Sequence, residues 1–232
     1  MHPRVSGQGF LPRYGGGWMH QFGHVYALQQ ELLAPDRCNW FRAAELWHTA
    51  RHEGLALNSA HYNNILRQCA HASAWEQSLM VLRQMRRDAL RPDVPSVACA
   101  MVSCADSGRW EETLSLFGQF QPTMKLDSQC YLALMRAANR GHAQHVAIEA
   151  GRQQLKEKIP FQPHAVAELT QAAAVVDTAE GCHIAIEAAE NLEEYAYVHR
   201  KEQTLLLALA ARHHLNAPRW LESGDEVPVL PT

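Results

Sequence analysis

Histidine and cysteine are the side chains through which this chain could do metal or nucleophilic chemistry. It carries fourteen of the first and six of the second. His48 and His52 stand four residues apart, the spacing that sets two ligands on one helix face. The H-E-x-x-H arrangement is absent, and no third ligand follows; His142/His145 and His213/His214 fall short in the same way. Cys38, Cys69, Cys99, Cys104, Cys130 and Cys182 form no C-x-x-C pair and no zinc-spaced block with histidine. They read as small reduced core residues of a reducing compartment. There is no G-x-x-x-x-G-K-[ST] phosphate loop and no G-x-S-x-G elbow. Glu111/Glu112 and Glu193/Glu194 are adjacent in sequence, so on a helix their carboxylates diverge and do not pair for acid–base work. The sequence predicts no enzyme activity, no cofactor, no metal and no small-molecule substrate.

The elements that must position any functional residue are helical. Nearly half of the 232 residues are apolar, enough for a sizeable core. No apolar run approaches the roughly 20 residues of a membrane span, so no membrane partner is expected. The net charge of −3 is unevenly placed. Residues 1–30 hold Arg4 and Arg13 and no acid. Residues 31–93 hold eight arginines against seven acids, and residues 94–158 hold seven basic residues against six acids. Residues 159–232 hold four basic residues against eleven acids, a net −7. The first two thirds can approach a polyanion that the last third would repel.

Self-comparison reveals a period. Trp40, Trp75 and Trp110 are spaced by 35 and 35, and aligning on them matches Glu76 with Glu111, Leu79 with Leu114, Leu82 with Phe117, Met85 with Phe120, and Cys69 with Cys104. Such a period means stacked helix pairs. Trp75, Leu79, Leu82 and Met85 fall at i, i+4, i+7 and i+10, as do Trp110, Leu114, Phe117 and Phe120. The tryptophans are therefore expected to be core-facing packing residues, not platforms for stacking bases. First helices are predicted over 60–72, 95–106 and 128–140, with turns at Ala72-Ser73-Ala74, Ser107-Gly108-Arg109 and Gly141-His142. Pro92 closes one repeat because it cannot continue the preceding helix. Further helices are predicted over 143–158, 164–176, 179–191 and 193–215, the last an apolar cap.

The predicted fold is all-α: a right-handed helical-hairpin α-solenoid of four to six pairs. Its parts are an irregular, Gly-rich arm over 1–23, repeats at about 24–58, 59–93, 94–127 and 128–162, divergent helices and a cap over 163–215, and an irregular tail over 216–232.

The period and the residues within it resemble the pentatricopeptide-repeat (PPR) family of organellar RNA-associated proteins. His61-Tyr62-Asn63-Asn64-Ile65-Leu66 is similar to that family's T-Y-N-x-L-I opening, and Ser107-Gly108-Arg109-Trp110-Glu111-Glu112 to its G-[KR]-x-x-E-E turn. Met85 with Leu90-Arg91-Pro92-Asp93 is similar to its M-x-x-x-G-[IL]-x-P-D ending, with Ala89 in place of the glycine. The resemblance implies single-stranded RNA in the groove lined by first helices, one base per repeat, read by the fifth and last residues of each repeat. Those are Asn63 and Asp93 in repeat 59–93, similar to the family's uridine-preferring pair. The neighbouring pairs depart from the pattern: Ala98 with Asp127, Leu28 with Asn58, and Leu132 with Gln162. Ala60 and Pro95 replace the branched apolar residues that sandwich the base. Arg67 and Arg136, one turn further along, are candidates for phosphate or for a salt bridge within the protein. Arg83, Arg86, Arg87 and Arg91 form a basic cluster on a second helix, expected on the outer surface.

Taken with the degraded reading pairs, the resemblance implies a non-catalytic subunit or assembly factor of a ribonucleoprotein in the mitochondrial matrix, foremost the small subunit of the mitochondrial ribosome. Its partners would be RNA, chiefly ribosomal RNA held weakly or by shape, and neighbouring protein subunits. A free factor for one organellar mRNA and a protein-binding scaffold are the alternatives. The acid-free arm resembles an import segment or an anchor along RNA or an acidic protein face, and the acidic third is expected to meet protein.

Overall fold

The computed structural model describes residues 40–52, 54, 57–192, 198–217 and 221. The N-terminal arm, the first helix of repeat 24–58 with Leu28, and most of the tail lie outside them. Among the described residues there are ten α-helices: α1 (Trp40–His52), α2 (Ser59–His71), α3 (Trp75–Arg87), α4 (Val94–Asp106), α5 (Trp110–Phe120), α6 (Ser128–Arg140), α7 (Gln144–Lys156), α8 (Pro163–Val176), α9 (Ala179–Glu190) and α10 (Arg200–Arg212). The predicted first helices and turns fall within about a residue of these bounds. The predicted 193–215 helix is shorter, Arg200–Arg212.

Local chemistry sets the boundaries. Asn58, Asp93 and Asp127 are the N-caps of α2, α4 and α6, each accepting from the backbone N–H three residues on. Asn58 with His61 and Asp93 with Ser96 close reciprocal capping boxes. Pro95 and Pro163 sit in the first turns of α4 and α8, where no N–H is missed. At the C-terminal ends one device recurs. Ser73, Ala89, Gly108, His142, Lys158 and His214 are left-handed, with φ between 52° and 73°. The residue after each donates its N–H five residues back, as in Ala74 N to Cys69 O at 2.8 Å and Leu90 N to Met85 O at 3.0 Å. Only one of the six is glycine. Repeat 94–127 lacks this turn after its second helix: α5 ends at Phe120, and Gln121–Met124 form a tighter bend that ends the repeat one residue early.

The helices form two layers. First helices pack directly on one another in the series α2, α4, α6, α8, α10. Small residues allow that approach: Ala98, Ala100, Ser103 and Cys104 in α4 and Ala133, Ala137 and Ala138 in α6 are all buried. Second helices instead lean on the next first helix (α3 on α4, α5 on α6, α7 on α8). Of adjacent second helices among the described residues, only α7 and α9 meet. A tight layer beside an open one curves the stack, with first helices on the concave side.

The repeat tryptophans depart from expectation in the extent of their burial. Each begins its helix and is only half-buried, and Trp40 is 36 % exposed. They still pack: Trp75 lies under the Arg109 guanidinium at 4.2 Å, and the Trp110 ring fills the space where a Cβ on Gly141 would stand, 2.1 Å from its Cδ1. Trp75 and Trp110 are wedges against the next repeat's turn. They pack against the core as expected, but their burial is partial because the first residue of a helix projects past the layer that the rest of its face buries. Trp47 is the buried indole of α1.

Candidate nucleic-acid interface

The concave surface is built by one face of each first helix. Asn63 on α2 meets Asp93 at the start of α4, with Asn63 Nδ2 donating to Asp93 Oδ2 at 2.9 Å. The other carboxylate oxygen, Oδ1, accepts from the Ser96 N–H at 3.1 Å and the Ser96 hydroxyl at 2.6 Å. Burial alone would raise the Asp93 pKa, but these bonds from Ser96 and Asn63 hold it below the ordinary carboxylate value. Asp93 is thus a firm acceptor at neutral pH. Asn63 Oδ1 is buried without a hydrogen-bond partner. The pair therefore presents its carboxylate edge, while the amide oxygen would meet a base only after the Asn63 side chain turns out of its bond to Asp93.

The following repeats offer less. Ala98 and Leu132 are buried and carry no hydrogen-bonding side chain. Asp127 spends an oxygen on the Cys130 N–H at 3.1 Å, and Gln162 donates to the Ser128 hydroxyl at 3.1 Å. Ala60 and Pro95 are exposed on the groove. The last residue of each repeat thus marks the start of the next first helix, which already explains Asn, Asp and Asp at three of the four positions.

The two groove arginines differ. Arg67 is exposed and forms no ion pair among the described residues. Arg136 pairs with Asp106 at 3.4 Å and Glu168 at 3.7 Å, tying α6 to both neighbouring first helices. Arg140 joins it, reaching Asp106 at 3.3 Å and the Ala105 carbonyl at 2.9 Å, while Asn139 donates to Glu168 at 2.8 Å. Asp106, Asn139 and Glu168 were not singled out from sequence. Their signal was a separation of about one repeat from their partners, in a register that only the stacked structure supplies.

On the outer layer Arg83, Arg86 and Arg87 are exposed on α3, with Arg91 exposed beyond its end. Arg83 and Arg86 border a cleft of about 190 Å³ between α3 and α5, floored by Leu79 and Leu82 and faced by Glu112 and Ser115. Arg86 also lies over the Phe120 ring at 4.8 Å. His48 and His52 are exposed on α1, and His213 contacts Asp177 at 3.0 Å. Among the described residues no group of three or more potential ligands gathers. Burial pushes the Cys69 thiol up to about 11, the Cys104 thiol up to about 12 and the Cys130 thiol higher still, so these cysteines are poor nucleophiles. Among the same residues no helix is long and apolar enough to cross a membrane.

This two-layered stack with its first-helix groove has the fold of solved PPR solenoids. No family model matches the sequence, and no curated protein matches it. Solved structures do. The PPR domain of Arabidopsis thaliana protein-only RNase P 1, solved with tRNA, superposes with a TM-score of 0.69 at 16% identity, over 80% of this chain and 98% of that one. The nuclear proteinaceous RNase P 2 of A. thaliana gives 0.66 at 11% identity, over 82% of this chain and 42% of that one. The PPR protein PPR10, solved with an 18-nt psaJ RNA element, gives 0.56 at 18% identity, over 85% of this chain and 35% of that one; a further structure of it is from maize. The chain spans a whole PPR domain but less than half of the longer proteins. At these identities the likeness defines the fold.

Proposed function

We propose that this chain is a non-catalytic RNA-associated helical-repeat subunit of an organellar ribonucleoprotein, held there by shape and by backbone contacts and not by reading a transcript. One observation carries the reading. Of the reading positions along α2, α4 and α6, only Asn63 with Asp93 presents a polar pair; Ala98 and Leu132 are buried and apolar. A good base contact is worth about 1–3 kcal/mol by analogy with DNA readout, so one such pair does not specify a sequence. Arg136 and Arg140 are engaged between repeats, leaving Arg67 as the groove cation best placed for a phosphate. The matching structures solved with tRNA and with an RNA element support RNA as the partner class. The setting we infer, from the family resemblance, is the mitochondrial matrix and the small subunit of its ribosome, as a permanent subunit or an assembly factor among protein neighbours.

Sedimentation of the tagged chain from an organelle lysate, with and without ribonuclease, tests this. Migration with a ribosome-sized particle that ribonuclease collapses is the expected result. Migration as a small species in both conditions contradicts it. The Asn63–Asp93 pair favours a second reading, a free factor on single-stranded mRNA, which predicts a small ribonuclease-sensitive species.

A further inference from the structure

We propose that the edge of the solenoid where the second helices end is a docking strip for the phosphate backbone of double-helical RNA. This deepens the reading above and rests on RNA being the partner. Consecutive helices are antiparallel, so the C-terminal ends of α1, α3, α5 and α7 share one edge with the N-terminal ends of the first helices. Arg51 ends α1, and Arg86, thirty-five residues on, ends α3 together with Arg87. Lys156, sixty-nine residues after Arg87, ends α7. Arg91, Lys125 and Lys158 stand exposed in the links that follow these helices. The cations form a row, with a member or a cluster in each repeat.

Two features make the row an electrostatic surface and not a scatter of neutralised charges. None of these cations forms an ion pair among the described residues, whereas Arg42, Arg136, Arg140, Arg152 and Arg212 all do. Among the described residues the acids on the same edge are fewer, four against seven cations, and each is bonded within the protein, although Asp88 and Asp127 are themselves exposed. Asp88 accepts from the Tyr62 hydroxyl and from Gln84 at 2.8 Å. Asp93 is held by Asn63 and Ser96, and Asp127 by the Cys130 N–H. Glu157 lies between Gln121 and Gln153, at 3.5 and 3.4 Å. The opposite edge carries the reverse sign, with Glu76, Glu111, Glu112 and Glu180 in the first turns of second helices. Helix dipoles favour the cations at the C-terminal ends of the second helices, and on the same edge the acidic N-caps Asp93 and Asp127 of the first helices.

Backbone geometry selects the ligand. Sequence-tolerant single-strand binders stack bases on aromatic faces, and among the described residues no aromatic side chain is exposed along this row, Trp75 and Trp110 being wedged against the next repeat on the opposite edge. A duplex keeps its bases inside and shows regular phosphates outward, which a row of guanidinium and ammonium groups contacts without base readout.

The test uses the full chain with two probes, an RNA hairpin with a stem of about 20 base pairs and a uridine strand of similar length, titrated against salt. The edge variant is Arg86→Glu/Arg87→Glu/Lys156→Glu, and the control, equal in charge change but off the row and the groove, is Arg42→Glu/Arg152→Glu/Arg212→Glu. All six positions are exposed, and matched thermal melts verify folding. The edge variant should lose roughly tenfold or more in hairpin affinity, with a shallower salt dependence, while the control stays within about threefold of the parent. Equal hairpin binding by parent and edge variant overturns the proposal, as does a parent that does not bind the hairpin, or an equal loss in the control. An edge variant that keeps hairpin binding but leaves the sedimenting particle identifies a protein-docking edge and also overturns it. Loss of hairpin binding by a chain whose parent never enters a ribonuclease-sensitive particle sinks the particle reading and leaves the edge standing.

Discussion

The two helical layers of this solenoid are made of different materials. The second helices carry the large, periodic side chains, among them Trp40, Trp75, Trp110 and Phe117. The first helices carry Ala, Ser and Cys between single large residues such as Tyr62, Met101 and Tyr131. Yet it is the first-helix layer that is closed: Tyr62, Met101, Met135 and Tyr131 are fully buried, while Trp75 and Trp110 are half-buried and Leu114 is exposed. The lesson is that the most conspicuous residues of the period, the tryptophans, are not those that seal the core, whereas Leu82, Met85, Phe117 and Phe120 at the later positions of the same period are buried. A bulky side chain recurs where each hairpin needs a wedge against the next, and a small one recurs where two backbones must approach.

The comparison is broken most severely in the inner layer. Tyr131→Ala removes a buried ring packed edge-on against Phe117 at 5.1 Å and should cost about 3–5 kcal/mol in denaturant unfolding. Trp75→Ala, in the outer layer, should cost less, about 2 kcal/mol, since its ring is only partly buried. If the two losses come out in the reverse order, the contrast between layers fails. Ala137→Leu overfills a fully buried contact where α6 meets its neighbours and should cost about 1–3 kcal/mol despite adding apolar surface; a neutral or stabilised variant would show that the inner layer has room.

Smaller changes probe the joints. Asp93→Ala removes the α4 cap and should cost about 0.5–2 kcal/mol. The Asp93 pKa is held below its ordinary value, so this contribution is complete above the unfolded pKa of about 4 and fades as pH falls through the folded value. The stability gap between parent and variant should therefore narrow as pH falls below the ordinary carboxylate range, and a gap that stays constant on acidification contradicts the bonding described. Ala89→Gly relieves a left-handed alanine at φ 57° and should change stability least, raising it by a few tenths to about 1 kcal/mol. A lower melting temperature in that variant would mean that Ala89 is not strained.

Much of this architecture was legible in the sequence because the period is local. Spacing of Trp75 and Trp110 and the turn residues Pro92, Gly108 and Gly141 placed the helices to within about a residue. The inner contacts were not legible, since Ala133 or Ala137 looks the same on a solvated helix as in a close crossing. Nor was the state of the groove. Arg136 reads as a cation near a base site until stacking brings Asp106 and Glu168 to it from the repeats on either side. Asp93 likewise carries two meanings, a reading residue and a helix cap, and only the second is fixed by its bond to Ser96. The arm over residues 1–23 lies outside the described residues, and its expected contacts rest on composition alone.

The central claim is that the groove does not read a sequence. Selection of single-stranded RNA from a random pool by the full chain measures this directly. The account predicts weak enrichment at physiological salt, with at most one specified position, a uridine opposite Asn63 and Asp93. A consensus of several consecutive specified bases, bound tightly and lost on Arg67→Glu, would contradict it.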